Sequence, residues 1–111
     1  MNKEQQRITI AEACGWTKIS DWKAAGINGK HPTEPWTEVI PDYLNDLNAM
    51  HEAVKTLPQN IKPRYFACLC FVVRGAISLN GYSKATEATA AQRAEAFLRT
   101  IDKWTTNPNE L

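Results

Sequence analysis

At 111 residues, 43% hydrophobic, 23% charged and with a net charge of +1, the chain has the size and composition of one folded domain, 1–111. That composition excludes a disordered chain, and the near-zero charge excludes whole-molecule attraction to nucleic acid or an anionic membrane. The longest apolar run, residues 65–73, falls far short of the roughly 18 residues a membrane span requires. The polar start, Met1-Asn2-Lys3-Glu4, has no signal-peptide character, so Cys14, Cys68 and Cys70 are expected as reduced thiols in a cytoplasm. Charge is unevenly spread: residues 1–60 carry six Lys/Arg against eight Asp/Glu, and residues 61–104 carry seven against three.

Residues 3–14 predict a first helix, rich in helix formers and stopped by Gly15. Residues 17–39 read as a long loop with Gly26, Gly29, Pro32 and Pro35 as breakers. With Trp16 just before it, the loop gathers Trp22 and Trp36, and such indoles need apolar cover and a partner for the N–H. A connection of this length is either functional or conceals a hairpin.

Pro41 predicts the opening of a second helix, with Tyr43, Leu47, Met50, Val54 and Leu57 as its apolar stripe and Pro58 as its end. Pro63 is expected to keep the next connection extended. Residues 65–74 predict a central strand, apolar on both faces, and residues 76–79 a short partner. Thr89 and Gln92 have capping-box spacing ahead of Ala94, Phe97, Leu98 and Ile101, which predicts a last helix; residues 105–111 form a tail.

The expected fold is therefore α+β, a small α-β-α sandwich with three main helices around a short sheet. So few strands leave the sheet short of partners. Either the tryptophan loop supplies strands, or a second copy completes the sheet as a homodimer or higher homo-oligomer.

Three segments together resemble the phage ABA sandwich family of small phage and prophage proteins: Ile10–Trp16 its opening helix, Ile40–Ala53 its central helix and Ala88–Leu98 its last helix. The resemblance implies a phage origin and helix, strand and helix layers, and it carries over no catalytic residue. Small non-enzymatic phage proteins often counter bacterial defence, by capping a host protein or by sequestering a nucleotide signal, which would place this chain in the host cytoplasm.

Residues capable of chemistry lack their partners. Cys68 and Cys70 have no further ligands at zinc spacing, and His51 has no paired nucleophile. Asp42 and Asp46 read as solvated carboxylates, and Gly26-x-x-Gly29-Lys30 is too short for a phosphate loop. No catalytic residue, metal site or cofactor is expected. Two binding sets remain. Trp22, Lys23, Lys30, His31 and Trp36 suit a protein hot spot, which favours a host protein as partner. Arg64, Arg74 and Tyr82 suit a phosphate-bearing, nucleotide-like small molecule held by an oligomer. Nucleic acid and membrane are not favoured.

Overall fold

Alanines let helices approach closely, and Ala90–Thr100 buries three of them, Ala90, Ala94 and Ala96. The computed structural model describes residues 1–21, 26–74 and 87–105. Among them are four helices, α1 (Lys3–Ala13), α2 (Leu47–Lys55), α3 (Lys62–Arg74) and α4 (Ala90–Thr100), and three strands, β1 (Thr17–Asp21), β2 (Ile27–Lys30) and β3 (Thr37–Val39). The α+β class expected from the sequence holds, and α4 packs against α1, α2 and most extensively α3.

The first and last helices, α1 and α4, begin with reciprocal capping boxes. Asn2 Oδ1 accepts from Gln5 N–H while Gln5 Oε1 accepts from Asn2 N–H. On α4, Thr89 Oγ1 accepts from Gln92 N–H (3.1 Å) and Gln92 Oε1 accepts from Thr89 N–H (2.9 Å), as the spacing predicted. Each box satisfies two amide groups that a helix start otherwise leaves unpaired. The left-handed Gly15 (φ 100°) follows the end of α1, where the sequence placed its stop.

The expected second helix starts later than Pro41. Residues 42–46 instead close a separate turn, with Asp46 N–H donating to Asp42 O (2.8 Å) and Asn45 Nδ2 donating to the Asp42 carboxylate. Asp46 then caps α2 by accepting from Asn48 and Ala49 N–H. Short acidic side chains compete for backbone donors, so they interrupted a helix that periodicity alone would have run through. Tyr43 and Leu44 remain buried, but in that turn.

The largest correction is at 65–74, expected as the central strand and found in α3. An apolar run dry on both strand faces is equally consistent with a buried helix. In the helix, Tyr65, Leu69 and Cys70 turn into the core, while Phe66 and Phe71 point outwards. Pro63 lies in the first turn of α3, where its missing N–H costs nothing, rather than in an extended connection. The expected partner strand at 76–79 lies outside the described residues.

The sheet comes from the segment read as a loop. β1, β2 and β3 pair antiparallel in chain order, with Asn28 opposite Val39 and Lys30 opposite both Thr17 and Thr37. These strands meet the shortage that pointed to a second copy, so the sheet no longer argues for a homo-oligomer. The β1–β2 register shifts between Thr17 and Ser20, where Lys18 is left-handed (φ 51°), forming a bulge. Arg7 fastens α1 to the end of the sheet by donating from Nη2 to Ile40 O (3.0 Å) and from Nε to Pro41 O (3.4 Å). One core results, with Phe97, Ile10, Ile40, Met50, Leu69 and Leu98 almost fully enclosed.

Gly29 is where β2 passes closest to its surroundings. A Cβ there would lie 3.0 Å from Ile19 Cγ1 and 3.4 Å from Ile40 Cγ2. Gly29→Ala is expected to destabilise the fold by about 1–3 kcal/mol, as other overpacked core positions do. Urea denaturation would show it as a lower midpoint at unchanged slope.

Candidate functional site

The turn from His31 to Trp36 joins β2 to β3 and is organised by one imidazole. His31 N–H donates to Trp36 O (3.0 Å), closing the turn. His31 Nδ1 accepts from the backbone N–H of Thr33 (3.1 Å) and of Glu34 (3.1 Å). An acceptor nitrogen bears no proton, so the ring proton sits on Nε2, facing Glu38 Oε1 at 3.6 Å. The other Glu38 oxygen accepts from Trp36 Nε1–H (3.1 Å). Glu38 thus holds both rings of the turn from one position on β3.

The tryptophans divide by exposure. Trp16 is buried at 6% exposure and meets His31 edge-on, with centroids 5.1 Å apart and planes at 61°. Trp36 also neighbours His31, centroids 6.1 Å apart, and is 51% exposed. Pro32 reaches the end of α1 because Gly15 has no side chain; a Cβ there would stand 3.2 Å from Pro32 Cβ.

Beneath this turn is a mainly apolar cavity of about 330 Å³. Trp16, His31 and Pro32 form one wall, and Ala49, Glu52 and Ala53 of α2 face them. Tyr43, Cys14 and Thr56 complete it. Their polar atoms lie close together: the Trp16 and Cys14 side chains interact with the Tyr43 hydroxyl, Cys14 Sγ lies 3.9 Å from Thr56 Oγ1, and Thr56 Oγ1–H donates to Ala53 O (2.7 Å). Two other depressions, about 230 Å³ beside Leu44 and Trp104 and about 420 Å³ beside Thr9 and Ile101, gather no comparable set of rings.

Burial pushes the Cys14 thiol above its ordinary value, against the opposing effect of its bonds to Thr56 and Tyr43. Burial also raises the Tyr43 hydroxyl strongly, helped by the adjacent Cys14. The thiol is therefore held protonated, which makes it a poor nucleophile.

Of the sequence-predicted binding residues, His31 and Trp36 meet in this turn, with exposed Lys30 at its entrance. Trp22, Lys23 and Tyr82 lie outside the described residues, and Arg74 is the last residue of α3. Arg64 Nη2 donates to Asp102 Oδ1 at 2.6 Å, an ion pair exposed to solvent. Arg93 donates from Nε to Ala88 O and sits beside Tyr65, whose hydroxyl is raised by burial. His51 is exposed, while Cys68 and Cys70 pack towards the core from α3. Among the described residues, no group of three or more His, Cys, Asp or Glu side chains is placed to hold a metal ion, and no helix is long and apolar enough to cross a membrane.

Sequence reasoning missed Glu38, Tyr43, Cys14 and Thr56. Glu38 two residues after Trp36 was a usable signal, since alternate strand residues share a face. The other three come from separate elements, and nothing in their spacing brings them together. Compared with family models, curated proteins and solved structures, the chain matches none.

Two consequences can be measured. His31→Ala removes the acceptor for two amide groups and is expected to cost about 1–2 kcal/mol in urea denaturation, with a change in Trp36 fluorescence. Stability should also fall as pH rises past the ordinary thiol value of 9.0. There the unfolded chain releases the Cys14 proton while the folded chain keeps it, so unfolding becomes easier. Tyr43 and Tyr65 extend the decline past 10.0, and Cys14→Ala should flatten only its first part.

Proposed function

We propose that this chain acts by binding another protein, through the surface that presents Trp36, and that it has no catalytic role. The observation that carries this is the state of one side chain. Trp36 is half exposed, yet its indole N–H is tied to Glu38, so a large apolar ring is offered to solvent in a fixed orientation. A pre-oriented tryptophan loses little freedom on association and is the residue type most enriched at binding hot spots. The hydrogen bonding of Cys14 points the same way, since its partners are Tyr43 and Thr56 rather than a general base.

The biological setting comes from the resemblance of three helical segments to the phage ABA sandwich family. It supports a phage or prophage accessory protein that restrains a host defence factor in the bacterial cytoplasm. The alternative, a nucleotide sponge built on Arg64, Arg74 and Tyr82, draws less support because Arg64 is engaged by Asp102.

The test is capture of the partner from host extract by the intact protein, followed by affinity measurement with the purified partner. Trp36→Ala should weaken binding by about 2 kcal/mol or more, roughly 30-fold, with an unchanged unfolding midpoint. Equal affinity for the variant would remove Trp36 from the interface and end this reading.

A further inference from the structure

The cavity behind Trp36 has a chemical bias that its apolar lining alone does not reveal. Its rings come from Trp16, His31 and Tyr43, and the small side chains of Ala49 and Ala53 leave space in front of them. Glu52, exposed on α2, places a carboxylate on the same wall as those alanines. Glu52 is the carboxylate that lines the cavity, and further carboxylates lie on the elements that bound it. Glu34 and Glu38 lie on the turn and strand that hold His31, while Asp42 and Asp46 lie in the segment leading to α2. Residues 26–60 carry five acidic side chains against Lys30 and Lys55.

Of the cations on these elements, Lys30 is exposed at the entrance of the turn and does not line the cavity. Lys55 pairs with Glu52 at 2.9 Å, but both side chains are about 70% exposed, and such an i, i+3 pair exchanges readily for a better partner. Arg7 is committed to the carbonyls of Ile40 and Pro41, with Asp42 3.9 Å from its Nε. An anion would meet repulsion here. A neutral apolar group would fill the space but leave the carboxylates unused.

Aromatic rings beside carboxylates favour a cation carried on an apolar stem. Of the two basic side chains, arginine fits better: its planar guanidinium stacks on rings and can present a forked pair of N–H donors to a carboxylate. We propose that this cavity is the anchor site for an arginine side chain of the protein partner, with the rings covering its stem and Glu52 receiving its head. This rests on the binding role of the Trp36 surface, and it names the chemistry of what that surface meets.

The probe is N-acetyl-arginine amide, titrated into the isotopically labelled protein and followed by amide and indole N–H resonances. Expected is a dissociation constant on the order of millimolar, with the largest shifts at the Trp16 indole, His31, Ala49 and Ala53. The citrulline analogue has nearly the same shape without the charge, and should bind roughly tenfold more weakly. Glu52→Gln, on the exposed face of α2, should weaken the arginine probe by roughly two- to fivefold, as should added salt. Equal binding of citrulline and arginine, or shifts confined to sites outside the cavity, overturns the proposal. Probe binding in the cavity, together with a partner indifferent to Trp36→Ala, would uphold the arginine site and reject the Trp36 surface. A partner that needs Trp36, with a cavity that ignores the arginine probe, would do the reverse.

Discussion

Small residues on α4 set the terms for the rest of the chain. Ala90, Ala94 and Ala96 are buried beside Phe97, Leu98 and Thr100, so α4 is enclosed over most of its circumference. Alanine lets neighbouring helices approach closely and loses no side-chain freedom on burial. Phe97 and Leu98 then fill the space between, each contributing about 1.5–3 kcal/mol through burial. Thr100 is tolerated there because its hydroxyl donates to Ala96 O at 2.7 Å. The remaining edge of α4 is closed by a polar side chain: Arg99 pairs with Glu95 at 2.8 Å and lies over the rings of Phe71 and Trp104, at 5.7 and 5.4 Å. Its guanidinium gives partial cover to an otherwise exposed phenylalanine.

With the helices assembled around α4, the sheet is free to serve as a platform. It has only three short strands, and its stability comes from what it is attached to. Arg7 fixes it to α1, and Ile27 and Ile40 bury its inner side. That anchoring lets the turn carrying Trp36 project from a rigid base. The site is thus built from backbone amides and rings, with one imidazole acting as a brace.

What could be read from sequence follows the range of the interactions involved. The capping box at Thr89 and Gln92 and the stop at Gly15 depend on residues a few positions apart. The α3 segment misled because alternation and helical periodicity coincide when every position is apolar; the deciding fact, an apolar flank on α4 needing cover, lies some twenty residues away. Asp46 shows a third case. It reads in the sequence as a solvated carboxylate while Pro41 offers a helix start, yet it caps α2, and Tyr43 and Leu44 are buried in the turn between the two. In the candidate site, His31 and Trp36 stand out in the sequence because they are unusual residues close together in one breaker-rich segment. Tyr43, Cys14 and Thr56 are ordinary residues made relevant by folding.

The edges of the sheet bear on how the protein behaves in a crowded solution. An open strand edge is a template on which other chains can add, which is a common route to aggregation. Here β3 offers three residues with Glu38 at their centre, and β1 is broken by the bulge at Lys18, whose left-handed backbone interrupts regular pairing. Both edges are therefore short, charged or irregular. A protein that displays an apolar ring beside an open sheet can remain dispersed, because the backbone around that ring gives a stray strand little to extend.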